Sequence, residues 1–154
     1  MRNSRHRLIQ EGNRVSGFLS PEEVAEKVVQ ISKNKSELQV LPMLLLGMLA
    51  GVYIGFGAEL CIMVTHDLPK YLGVGFAKFV GGSVFSVGLM LVVIAGAELF
   101  TGNCLILTGV LTGTVSIRGM MRNWFFVYVS NFAGSMLLVI IMYYSGLWRV
   151  DNFG

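Results

Sequence analysis

The 154 residues are 54% hydrophobic and only 14% charged, and the mean hydropathy is +0.66, so the charged surface of a water-soluble domain is missing. The same composition excludes a disordered chain, and 19 glycines without a Gly-X-Y period exclude collagen. A one-domain membrane protein remains, and its net charge of +3 is read as setting orientation in the bilayer, not as a nucleic-acid surface.

Seven of the 12 basic residues, Arg2, Arg5, Arg7, Arg14, Lys27, Lys33 and Lys35, precede position 40. Residues 1–39 therefore read as a polar arm, without the apolar region of a cleavable signal peptide, and residues 40–154 as a membrane domain. Within the arm, Ser20-Pro21-Glu22-Glu23 is a helix start: Ser20 as N-cap, Pro21 at the first helical position, Glu23 closing a capping box. Val24, Val28 and Ile31 follow at helical spacing, which predicts an amphipathic helix over 21–33. It is expected to lie on the membrane face, on a neighbouring subunit or on the domain's own loops.

The first span is predicted over 40–64, about 25 residues with Glu59 as its one charge, enough to cross roughly 30 Å of hydrocarbon. Gly47, Gly51 and Gly55 recur on one face and invite close approach of another backbone. From Phe79 to Ile117 only Glu98 is charged, a stretch too long for one crossing and too short for two with a solvated turn. The second span, 76–111, is therefore expected to break near 95–103, where glycines flank a polar cluster. Unwound backbone at that depth survives only when it is buried in protein or lines a cavity. The third span is predicted over 124–144, with Trp124, Tyr143, Tyr144 and Trp148 as interfacial aromatics. Arg118 and Arg122, in the connection before it, add to the basic arm, whereas Lys70, Lys78 and Arg149 carry the basic charge of the opposite side. The positive-inside rule then places the N-terminus in the cytoplasm.

Glu98 is the most informative residue, because an ionisable group near the bilayer centre costs roughly 2.5–3.5 kcal/mol on insertion scales and needs a partner or a cavity. Two roles suit it: bracing the break by accepting freed backbone N–H groups, or touching a permeant. Thr101, Gly102 and Asn103 open the second half-helix, whose N-terminus attracts an anion or simply needs caps. Phe85, Leu89, Leu99 and Phe100 flank the break and are either core or hydrophobic constrictions. His6 and His66 lie outside the spans, so no embedded proton relay is visible. Cys61 and Cys104 form no CxxC, so no metal site, disulfide framework or cofactor is expected. No Ser/His/Asp set, HExxH or phosphate loop occurs, and the chain is not expected to be an enzyme.

The run Val93-Ile94-Ala95-Gly96-Ala97-Glu98-Leu99-Phe100-Thr101-Gly102 resembles the signature of the formate/nitrite transporter family, pentameric channels for small monovalent anions such as formate, nitrite and hydrosulfide. Ala50–Gly55, Ala77–Leu89 and Asn123-Trp124 through Tyr128 and Asn131 resemble the family's first, second and third spans. The resemblance implies an all-α polytopic membrane protein, with an amphipathic helix and three spans forming one of the two inverted repeats of an aquaporin-like channel fold. It implies that Phe85, Leu89, Leu99 and Phe100 line constrictions, and that Thr101 contacts a pore histidine carried by the other repeat. Lys33 matches a lysine at the cytoplasmic entrance, with Lys35 nearby as the alternative alignment. A chain with one repeat is expected to be truncated or partial, its full-length relative being the multi-pass anion channel of the cell membrane, homo-oligomeric and moving an anion with or without a proton. The alternative is a non-conducting subunit that joins full-length channels through the Gly47, Gly51 and Gly55 face.

Overall fold

The computed structural model describes residues 19–147 and 149; Arg2, Arg5, Arg7, Arg14, His6 and Trp148 lie outside them. The described residues form six helices: α1 (Pro21–Ser36), α2 (Val40–Thr65), α3 (Leu68–Ala95), α4 (Phe100–Asn103), α5 (Ile106–Leu111) and α6 (Ile117–Ser145). Three of them, α2, α3 and α6, are long and apolar enough to cross a membrane.

Helix α1 starts on the expected capping box, in which the Glu23 amide donates to Ser20 Oγ at 3.3 Å and the Ser20 amide donates to Glu23 Oε2 at 2.8 Å. It runs to Ser36, three residues past the predicted end, with Lys33 and Lys35 in the last turn, where cations suit the negative helix end. The predicted apolar stripe does not bury this helix: Val24 and Ile31 stay exposed, and Ser32 is the buried residue. Ser32 Oγ donates to the Leu105 carbonyl at 2.8 Å, so α1 docks on the chain's own α5 and on the start of α6. Of the three placements left open by the sequence, the structure shows a seat on the domain itself.

The spanning bundle has α2 in the middle, with α3 and α6 each packed along it. Its contacts are glycine seams. On one side, a Cβ on Gly47 would strike Ser130, one on Gly51 would strike the Asn131 carbonyl, and one on Gly55 would strike Leu138, while Gly134 returns the contact against the Met48 carbonyl. The partners rise together along both helices, so α2 and α6 run parallel. On the other side, a Cβ on Gly57 would stand 3.1 Å from the Gly88 Cα, and one on Gly81 would stand 3.1 Å from Cys61 Sγ; here the order reverses and α3 is antiparallel. The Gly47, Gly51 and Gly55 face is thus covered by α6 within the chain, so association with another subunit has to use a different surface.

Small buried residues at the seams and large exposed apolar ones outside invert the usual distribution. Phe79 is 70% exposed, Ile94 84% and Leu111 78%, which suits lipid contact and would be an aggregation hazard in water. Two boundaries lie earlier than the hydropathy suggests. Helix α6 begins at Ile117, capped by Ser116 Oγ accepting from the Gly119 amide at 3.1 Å; Arg118 and Arg122 sit on its first two turns, where a reading by apolar run stops short. Helix α3 begins at Leu68 but is interrupted at Gly73, whose φ of 79° is left-handed, so the continuous part starts close to the predicted 76.

Candidate functional site at the break in the second span

Helix α3 ends at Ala95 because Gly96 adopts φ 64°, a left-handed cap that glycine takes without steric cost. The backbone freed by the break is then re-satisfied piece by piece. The Ala97 amide donates to the Val92 carbonyl at 3.0 Å and the Glu98 amide reaches across to the Leu46 carbonyl at 3.2 Å. The Phe100 amide donates to Asn131 Oδ1 at 2.9 Å, while Asn131 Nδ2 donates to the carbonyls of Gly47 at 2.9 Å and Glu98 at 2.8 Å. One side chain of α6 thus ties together the first span and both lips of the break. Leu46 lies in the first third of α2 and Asn131 at the midpoint of α6, so the break is held well inside the bundle.

The Glu98 carboxylate does not take the freed amides of Ala97, Glu98 and Phe100, which have the partners above. It faces Lys35, whose ammonium donates to both carboxylate oxygens at 2.8 Å and to Asn103 Oδ1 at 2.9 Å. Asn103 Nδ2 donates to Glu98 Oε2 and to Asn123 Oδ1, both at 2.8 Å. Asn123 Nδ2 closes the network on the Lys35 carbonyl at 2.9 Å, and Trp124 Nε1 donates to the Asn103 carbonyl at 2.9 Å. Asn103 and Asn123 are fully buried and Glu98 nearly so, and among the described residues no buried side-chain nitrogen or oxygen lacks a partner. A charge held this way is paired and hydrogen-bonded, the condition under which it survives away from water.

A cavity of about 480 Å³ opens beside this network, lined by Lys35, Leu89, Gly96, Leu99, Thr101 and Gly102 among others. Thr101 and Gly102 are exposed to it, whereas Asn103 is turned inward. The first amide of the half-helix, that of Phe100, is occupied by Asn131. Phe85 lies one helical turn before Leu89 and is exposed. The Phe100 ring does not join Leu99 at the cavity: it packs edge-to-face on Trp124 at 5.9 Å and on Tyr128 at 5.5 Å between ring centroids. Lys33 is exposed on α1, and the lysine that reaches the break is Lys35. Lys35, Asn123 and Trp124 are the site residues that a sequence reading underweights. Their one visible signal is a pair of asparagines, Asn123 and Asn131, in a largely apolar helix.

Asn131→Ala withdraws the acceptor of the Phe100 amide and the donors to two carbonyls at once. Each buried group left unpaired costs about 1–3 kcal/mol, so hydrogen exchange at the Phe100 amide is expected to accelerate by at least roughly tenfold; an unchanged rate would contradict the bracing role of Asn131.

A spanning helix broken beside a lined cavity, with its freed backbone held by main-chain carbonyls and the Asn131 side chain, is the build of a membrane transport protein. The chain belongs to the formate/nitrite transporter family, matching the formate/nitrite transporter family model over residues 22–154. It is 41% identical over 129 residues to a probable formate transporter of Methanothermobacter thermautotrophicus, covering 82% of this chain and 47% of that protein. It is 38% identical over 122 residues to a formate channel of Bacillus thuringiensis, covering 79% of this chain and 47% of that one. Against the formate channel FocA of Escherichia coli (strain K12) it is 33% identical over 135 residues, covering 88% of this chain and 47% of the channel. The chain spans about half the length of the curated relatives it matches.

Proposed function

We propose that this chain forms one of the two repeats of a channel subunit for small monovalent anions of the formate, nitrite or hydrosulfide class. One observation carries the reading: the break in α3 sets the Lys35 ammonium and Thr101 on the wall of the same cavity as the apolar side chains of Leu89 and Leu99. Lys35, its charge balanced by Glu98 behind it, turns the positive side of the ion pair to the cavity and so favours an anion there, Thr101 offers the anion a hydroxyl in place of a water, and the leucines admit only a permeant that sheds part of its hydration shell. Glu98 is held in its ion pair and does not contact the permeant. Passage of the anion with a proton would use the pore histidine of the other repeat, beside Thr101. Transport, not catalysis, is the activity. The basic arm, with Arg118 and Arg122 at the start of α6, supports a cytoplasmic N-terminus, and the family resemblance supports a homo-oligomer, a pentamer, in the cell membrane.

The test is uptake of labelled formate and of nitrite by liposomes containing the protein purified from its native membranes. Thr101→Ala removes one hydrogen bond to an anionic permeant, worth about 1.5–3 kcal/mol, and is expected to lower uptake roughly ten- to a hundredfold. Thr101→Ser retains most of it. Unchanged uptake of both anions by Thr101→Ala would sink the assignment of Thr101 to the pathway.

A further inference from the structure

At the end of α1 the Lys33 carbonyl accepts from the Glu37 amide, and consecutive residues of α6 take the carbonyls that follow. The Arg122 guanidinium donates through Nη2 to the carbonyls of Ser36 at 3.0 Å and Leu38 at 2.8 Å. The next residue, Asn123, takes the carbonyl of Lys35. Ser36 closes α1 and Leu38 lies just before α2, so Arg122 bridges the hinge between the arm helix and the first span. Its positive charge also faces the negative end of α1, an interaction of favourable sign.

The geometry of Lys35 depends on this hinge. Its side chain crosses to Glu98 and Asn103 from a backbone whose own carbonyl is held by Asn123 and whose next carbonyls, of Ser36 and Leu38, are held by Arg122. Ser32 Oγ, one turn earlier on α1, fixes the same helix to the Leu105 carbonyl beyond the break, but reaches no group of the hinge between α1 and α2. We propose that Arg122 is a positioning residue of the site: it clamps the α1–α2 hinge and thereby holds the Lys35 ammonium on Glu98, at the wall of the cavity. Without the clamp, the last turn of α1 frays, Lys35 turns to water, and the cavity presents the Glu98 carboxylate without its cation.

The chain contains its own control. Lys33 is two residues from Lys35 but exposed, whereas Lys35 is engaged by Glu98 with its side chain 22% exposed. An amine-modifying reagent applied to the purified protein in membranes, read by mass spectrometry, therefore reports the hinge. Arg122→Gln is expected to raise modification of Lys35 several-fold and leave Lys33 unchanged. Arg122→Lys, which retains the charge and can still reach one carbonyl, falls between. If Lys35 is modified at the same rate in all three proteins, or if Lys33 rises in parallel, the clamp is refuted.

A second readout rests on the proposed transport function. Arg122→Gln is expected to lower formate uptake roughly three- to tenfold, and to have no further effect in a Lys35→Met background, the signature of two residues acting through one contact. Equal losses in both backgrounds would mean that Arg122 acts without Lys35 and would overturn the positioning role. Absence of uptake by the unmodified protein would overturn the transport reading instead, while the labelling result stands by itself.

Discussion

Lys35→Met is expected to lower the unfolding free energy of the detergent-solubilised protein by about 3–5 kcal/mol, a fall in Tm on the order of 10 °C for a chain of this size. The magnitude follows from what the substitution leaves behind. Glu98 is buried, with its side chain only 10% exposed, and both carboxylate oxygens lean on the lysine ammonium. Removal of the cation leaves an uncompensated carboxylate with Asn103 Nδ2 as its remaining side-chain donor. Asn103 Oδ1 loses its donor as well. The pair itself contributes less than its disruption costs, because both ions gave up hydration to form it. Lys35→Met combined with Glu98→Gln is therefore expected to recover a good part of the loss, since the amide keeps a hydrogen bond to Asn103 without a charge. Thermal unfolding followed by circular dichroism distinguishes the cases, and a single variant as stable as the parent would show that the network does not hold the break.

Gly51→Ala is expected to be the other severely disruptive change. The added methyl would meet the Asn131 carbonyl and stand 2.9 Å from the Ser135 amide. These are backbone atoms of α6, which cannot rotate aside as a side chain can. Relief requires α2 and α6 to separate, and separation also pulls Asn131 from the Gly47 carbonyl and from the break. Overpacking of a well-filled interior costs about 1–3 kcal/mol, and here the loss of the Asn131 contacts adds to it. Gly82→Ala is the matched control on α3, where a methyl meets nothing within 4 Å. Thermal unfolding of the two variants side by side is expected to show a large drop for Gly51→Ala and little change for Gly82→Ala. Helix propensity favours alanine at both positions, so a drop at Gly51 reports the seam, and a Gly51→Ala variant as stable as Gly82→Ala would contradict the close contact of α2 with α6.

The spans and the break were legible because they are one-dimensional properties of the chain. Long uncharged runs give the crossings, and Gly96 beside Glu98 gives the interruption. The capping box at Ser20 was equally local. What sequence could not resolve is which groups meet across helices. Lys33 and Lys35 differ by about 200° around α1 at 100° per residue, so the choice between them depends on which face of α1 docks, and that face is chosen by Ser32 on Leu105 rather than by the apolar stripe. The expectation that Glu98 would take freed backbone N–H groups failed to anticipate that Leu46, Val92 and Asn131 would satisfy them first. Phe100 and Leu99 are neighbours in sequence yet diverge, the ring to Trp124 and Tyr128 and the leucine to the cavity, because α4 starts between the two lips of the break. The glycine track was visible as a packing face, but its partner, α6 of the same chain, was not.

The most direct test of the transport reading is the initial rate of labelled formate uptake into liposomes carrying the protein purified from its native membranes, against protein-free liposomes. The expected result is uptake well above the protein-free rate, competed by nitrite and not by sulfate, whose double charge and larger hydration shell the leucine-lined cavity would refuse. Uptake indistinguishable from protein-free liposomes would contradict the proposal that this chain contributes to an anion pathway.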